Sequence, residues 1–184
     1  MKKNNILSCI EKAGSIMIAG HVRPDEDCVG SCMGLFHYIK DMYPDKKLDV
    51  RLEEVPESYR IIPGCDAIDT EYAEEVIYDL FIAVDVSEVN RLGKALPYFQ
   101  AASYKICIDH HISNSSFADV NYIDPDASST CELLCRLMGE EKITKEIAEC
   151  LYTGMVHDTG VFQYTCTSRE TMNLGGMLME KGID

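Results

Sequence analysis

The chain has 184 residues, enough for one domain with a sizeable core. Apolar residues make up 46% and charged residues 26%, an ordinary globular composition, and runs such as Ile16–Ala19 and Leu80–Val84 are too short to cross a bilayer. The net charge of −14 excludes a broad basic surface for nucleic acid, double-stranded nucleic acid above all; phosphate substrates stay open, because bound cations invert the charge around a carboxylate cluster.

No apolar segment or cleavage site follows Met1-Lys-Lys-Asn-Asn-Ile6, so a cytoplasmic location with no membrane partner is expected. Nine cysteines occur without a Cys-x-x-Cys pair, which argues against a zinc ribbon. Cys28/Cys32 and Cys131/Cys135 are spaced four apart and read as small buried side chains in a reducing compartment.

In chain order, Asn4–Ala13 reads as an opening helix and Ser15–Gly20 as a buried strand. A helix over Val29–Met42 stops at Tyr43-Pro44, and Leu48–Leu52 alternates as a strand. Tyr59–Gly64 predicts a helical turn broken by Pro-Gly, and Tyr72–Ile77 a brief helix. Asp79–Asp85 holds five consecutive apolar residues between acids and is the clearest strand. A helix over Leu92–Ala101, strands over Tyr104–Ile108 and Ala118–Ile123, and helices over Ser128–Leu137, Lys145–Val156 and Arg169–Lys181 complete the chain. The pattern predicts an α/β fold: a mostly parallel sheet with helices on both faces and a helical C-terminal third.

Ligand sites in such sheets lie beyond the carboxyl ends of the strands. Three expected strands end there on acids or histidines: Gly20-His21-Val-Arg-Pro-Asp25-Glu-Asp27, then Asp85, then Asp109-His110-His111. Asp158 stands where a helix gives out. One acidic strand end is commonplace, but three that include a His-x3-Asp-x-Asp cluster are not. An oxygen-rich set with a few imidazoles suits Mn²⁺ or Mg²⁺, with Fe²⁺ or Co²⁺ as substitutes. Two such ions acidify a bridging water and clamp phosphoryl oxygens during in-line attack.

Four ordered motifs resemble those of the DHH phosphoesterases: His21-x-x-Pro24-Asp25-x-Asp27-x-x-Gly30-Ser31, Val84-Asp85-x-Ser87-x3-Arg91-x-Gly93, Asp109-His110-His111 and Asp158-Thr159-Gly160. Tyr59-Arg60-x-x-Pro63-Gly64 and Ser128-Ser-Thr-x-Glu132 resemble its branch of bifunctional oligoribonucleases and phosphoadenosine phosphate phosphatases. The resemblance covers roughly residues 15–182. It implies one cation on His21, Asp25 and Asp85 and another on Asp27, Asp85, His110 and Asp158, with Asp85 bridging. It also implies that Asp109 orients a ligand imidazole, and that His111 contacts phosphate or protonates the leaving group. Arg91 would touch phosphate. The expected catalytic residues are thus Asp85, Asp109 and His111, acting on a small nucleotide or short single-stranded RNA. Whether the chain pairs as a homodimer is open.

The chain departs from the family's pattern twice. Glu26 stands where a small residue is expected and is read as pointing to solvent. Residues 1–184 read as the catalytic domain alone, since nothing in them resembles the second, glycine-rich substrate-binding domain of the family. An inorganic pyrophosphatase, a cyclic-dinucleotide phosphodiesterase, a RecJ-like exonuclease and a non-catalytic nucleotide- or metal-binding domain are the alternatives. His37 reads as structural or surface, His157 as structural or as supporting a ligand, Asp79 and Asp124–Asp126 as strand-edge and turn residues, and Ser128–Thr130 as a helix cap.

Overall fold

A computed structural model describes residues 2–73 and 76–184. Six strands form one sheet: β1 (Ser15–Ala19), β2 (Lys47–Arg51), β3 (Ile68–Asp69), β4 (Leu80–Val84), β5 (Tyr104–Asp109) and β6 (Val120–Ile123). Every pairing is parallel, in the spatial order β3-β2-β1-β4-β5-β6. The helices are α1 (Lys2–Lys12), α2 (Glu26–Met42), α3 (Leu96–Ala101), α4 (Thr130–Met138), α5 (Lys145–Asp158) and α6 (Arg169–Glu180).

Parallel strands covered on both faces need apolar side chains at every position, which is why β4 reads Leu-Phe-Ile-Ala-Val. Alternate residues then serve alternate layers. Ile16, Ile18, Leu80, Ile82, Val84, Ile106 and Ile108 join the core shared with α2, α4 and α5. Met17, Ala19, Phe81, Ala83 and Cys107 face the opposite layer with Leu92 and Phe99. Each fully buried Ile, Leu, Val, Met or Phe among these contributes about 1.5–3 kcal/mol relative to exposure.

The sequence order reverses between β1 and β4, so this is the switch point where a doubly wound sheet opens a crevice at its carboxyl edge. Registers of Ala19 with Ala83 and Val84 with Ile108 bring the ends of β1, β4 and β5 to one level. His21, Asp85 and Asp109 are therefore neighbours by topology.

Several expected bounds shift. α2 starts at Glu26 because Asp25 caps it, its carboxylate accepting from the Cys28 N–H. The helix expected over Leu92–Ala101 is divided: a tight helical segment covers Val89–Ala95, Gly93 turns left-handed within it at φ 53°, and α3 starts afresh with Pro97 in its first turn. A Cβ at position 93 would stand 2.4 Å from Val22, so the chain's approach to the first motif demands glycine there. The helix expected over Tyr72–Ile77 includes residues 74 and 75, which lie outside the described residues; Tyr72, Ala73, Val76 and Ile77 are not helical. The strand expected over Ala118–Ile123 starts at Val120, and β3, only two residues long, has no counterpart in the sequence reading.

Candidate metal centre

The centre is built from five chain segments. His21 follows β1 after Gly20, buried to 4% exposure, and its Nδ1–H donates to the carbonyl of Val22 at 2.9 Å. That bond aims Nε2 at Asp85 Oδ2 (3.4 Å) and Asp25 Oδ2 (3.7 Å). Asp85 follows β4 directly and adopts φ 59°, a left-handed conformation that Asp tolerates at a cost of about 1–2 kcal/mol. Its N–H donates to the Ile108 carbonyl at 2.9 Å, which holds the turn.

Asp158 ends α5, where a carboxylate meets the negative end of the helix dipole. His110 offsets this, with Nε2 3.1 Å from Asp158 Oδ2, 3.8 Å from Asp85 Oδ1 and 4.0 Å from Asp27 Oδ2. α5 reaches the site because it lies against α2 with almost no side chain between them. A Cβ on Gly30 would stand 2.5 Å from the Cys150 carbonyl, and one on Gly154 would stand 2.7 Å from Asp27 Oδ1. Past Asp158, Gly160, Val161 and Phe162 all take positive φ, which stops the helix. The Val161 N–H donates to the Val156 carbonyl and the Phe162 N–H to Thr159 Oγ1.

Asp27 is 1% exposed and Asp85 2%. Burial, then the charges of Asp85 and Asp158, push the Asp27 carboxyl well above the usual carboxylate range. Burial opposes an imidazolium at His21, yet the hydrogen bonds with Asp25 and Asp85 win and lift it to about 11. At His110 burial again opposes, and Asp158 with its neighbours lifts it to about 10. Burial works against Asp25 too, but His21 and the Cys28 N–H hold it down at about 2. This set of buried acids calls for positive charge, and its oxygen and imidazole donors fit divalent cations. Among the described residues, three groups have ligand atoms within 4.8 Å of one another: His21/Cys28/Asp85, Asp85/His110/His111 and Asp27/His110/Asp158.

The expected roles of Asp109 and Glu26 need correcting. Asp109, fully buried, binds no imidazole of His21 or His110 but takes the His111 Nδ1–H at 2.7 Å, while Asn114 Nδ2 donates to its other oxygen at 2.7 Å. Burial would raise the Asp109 carboxyl; these two donors keep it below the usual range. The same bond raises His111, against its burial. Glu26 does not run out to solvent. Its Oε2 stands 2.6 Å from His157 Nδ1, and its carboxylate and burial together push the Tyr59 phenol up to about 12. Arg91 is exposed; its carbonyl accepts the Val22 N–H at 2.8 Å, and among the described residues its guanidinium forms no ion pair.

Thr130 is a site residue that the capping signal concealed. Ser129 is the true cap of α4, taking the Glu132 N–H. The first two amides of the helix grip Asp27, Thr130 N to Oδ2 at 2.7 Å and Cys131 N to Oδ1 at 3.0 Å. Thr130 Oγ1 donates to Asp85 Oδ1 at 2.9 Å, so one residue ties both buried acids together. Glu132, fully buried, holds this helix start through Ser128 Oγ, Thr171 Oγ1 and Arg136. His37 is structural, its Nε2 donating to the Pro63 carbonyl.

Fold and site define an α/β protein with a carboxylate–imidazole centre at its switch point. Residues 15–155 match the DHH family, N-terminal domain, and the chain belongs to that family. It is 29% identical over 183 residues to the bifunctional oligoribonuclease and PAP phosphatase NrnA of Bacillus subtilis, covering 97% of this chain and 56% of that protein. Its identity to the NrnA of Thermus thermophilus is 30% over 185 residues, covering 97% and 53%. An exopolyphosphatase-related protein from Bacteroides fragilis superposes over 100% of this chain and 57% of its own, with TM-score 0.91 and 34% identity. The chain thus spans about half the length of the curated relatives it matches. Among the described residues no helix is long and apolar enough to cross a membrane.

Proposed function

We propose that this chain carries the two-cation centre of a phosphoesterase acting on short oligoribonucleotides or small nucleotides, phosphoadenosine phosphate among them, with Mn²⁺ as the preferred ion. Residues 1–184 form its catalytic domain. The observation that carries this reading is the sharing of Asp85: its Oδ2 faces His21 and its Oδ1 faces His110 and Thr130. His21, Asp25 and Asp85 would hold one cation, and Asp27, Asp85, His110 and Asp158 the other. When bound, the two cations supply Lewis acidity toward phosphoryl oxygens and acidify a water.

The remaining residues bind and orient. Asp109 and Asn114 fix His111 so that Nδ1 is engaged and Nε2 is left to hold a proton for the leaving oxygen. At 38% exposure the His111 side chain is open to a substrate that the buried acids cannot reach unaided. Arg91, beside the His21 loop, supplies a guanidinium for a further phosphate. The names of the relatives favour nucleotide substrates over pyrophosphate. With Mn²⁺ supplied, the protein should release nucleotide from short RNA and phosphate from phosphoadenosine phosphate, and linear dinucleotides and pyrophosphate complete the panel. Turnover of none of the four would refute the proposal.

A further inference from the structure

The His21 side of the centre contains a thiol. Cys28 lies in the first turn of α2, fully buried, with Sγ inside the 4.8 Å group formed with His21 and Asp85. Two features put it there. Its own N–H is tied to Asp25 Oδ1 at 3.0 Å, which fixes the backbone beside the cluster. Gly20 then makes the room: a Cβ at that position would stand 2.1 Å from Cys28 Sγ and 3.4 Å from Cys32 Sγ. Any larger residue ahead of His21 would expel the thiol.

Ligand atoms around a four-coordinate ion, at 2.0–2.3 Å from it, stand about 3.5 Å from one another. His21 Nε2 and Asp85 Oδ2 already have that spacing at 3.4 Å. A thiol within 4.8 Å closes the same shell with a displacement of about an ångström. The nearby Cys131 differs, since its Sγ is turned to the Asp27 carbonyl at 3.7 Å.

We propose that Cys28 is a metal ligand of the His21/Asp85 pole, making this pole a mixed nitrogen, oxygen and sulfur site that also captures thiophilic cations such as Zn²⁺, Cd²⁺ and Co²⁺. The proposal rests on the metal-centre reading above. As the sulfur–metal bond forms, the Sγ–H proton leaves to solvent, with no change of oxidation state. The other pole, built from Asp27, His110 and Asp158, keeps only hard and borderline donors, so the two poles differ in metal preference.

The test is Co²⁺ titration of the reduced, anaerobic protein, followed by calorimetry and by near-ultraviolet absorption. Wild type should bind Co²⁺ with an intense sulfur-to-cobalt charge-transfer band. Cys28→Ala should keep binding but lose the band, Cys28→Ser should do the same, and Cys131→Ala should retain it. Cd²⁺ affinity should fall about 10–100-fold in Cys28→Ala, and Mn²⁺ affinity by a smaller factor. Co²⁺ binding without the band, or a band that survives Cys28→Ala, overturns the thiol assignment and leaves the metal centre standing. A failure to bind Co²⁺ at all overturns both.

Discussion

Gly154→Ala should lower both folding stability and metal affinity. The added methyl would stand 2.4 Å from Cys131 Sγ, 2.7 Å from Asp27 Oδ1 and 2.9 Å from Asp27 Cα. Cys131 is packed on all sides and Asp27 is held by two helix amides, so neither can give way cheaply. Overpacking of this kind costs about 1–3 kcal/mol. The same methyl on Gly176 of α6 meets nothing within 4 Å and should stabilise by about 0.4–1 kcal/mol, since alanine is the better helix former. Urea midpoints at constant slope give both values, and Mn²⁺ calorimetry gives the second consequence. Displacing Asp27 should weaken Mn²⁺ about 10–100-fold, while Gly176→Ala leaves it unchanged. A Gly154→Ala protein as stable as wild type, with the same Mn²⁺ affinity, would refute the claim that helix contact at this glycine builds the site.

Thr130→Val removes the hydroxyl that joins Asp85 to α4 and should lower Mn²⁺ affinity by about tenfold in calorimetry, with Thr130→Ser retaining wild-type affinity. Glu132→Ala removes the buried acceptor shared by Ser128 and Thr171, while Arg136 keeps Asp124 and Glu170, and should cost about 1–3 kcal/mol by urea denaturation. Stability of the metal-free protein should depend on pH through His21 and His110. Their folded values of about 11 and 10 exceed the unfolded 6.5, so the folded state holds more protons in between. Their contribution is complete below pH 6.5 and is lost as pH rises through about 10 for His110 and about 11 for His21, as urea midpoints in chelator would record. A midpoint that rises over that range would contradict these assignments.

The parts of the site that lie at strand ends were legible because continuous apolar runs announce buried parallel strands, and because three such runs close on acids or histidines where one alone would be commonplace. His21, Asp85 and His110 were readable in this way, and Asp158 from the place where a helix gives out. Thr130 was not: its sequence neighbours Ser128 and Ser129 signal a helix cap, and only folding brings it to Asp27, 103 positions earlier. Glu26 was misread for a similar reason, since its partner His157 belongs to the far end of α5. The assignment of Asp109 to an imidazole was sound in kind, but the choice of His111 depends on a strand-end turn that no spacing encodes. The break at Gly93 reflects contact with Val22, a tertiary demand that overrides helix periodicity.

The central claim is that Asp85 is shared by two cation sites. Calorimetric titration of the chelator-treated protein with Mn²⁺ tests it most directly. The expected result is two ions per chain for wild type and none for Asp85→Asn. Binding of both ions by Asp85→Asn, or of no ion by wild type, would contradict it.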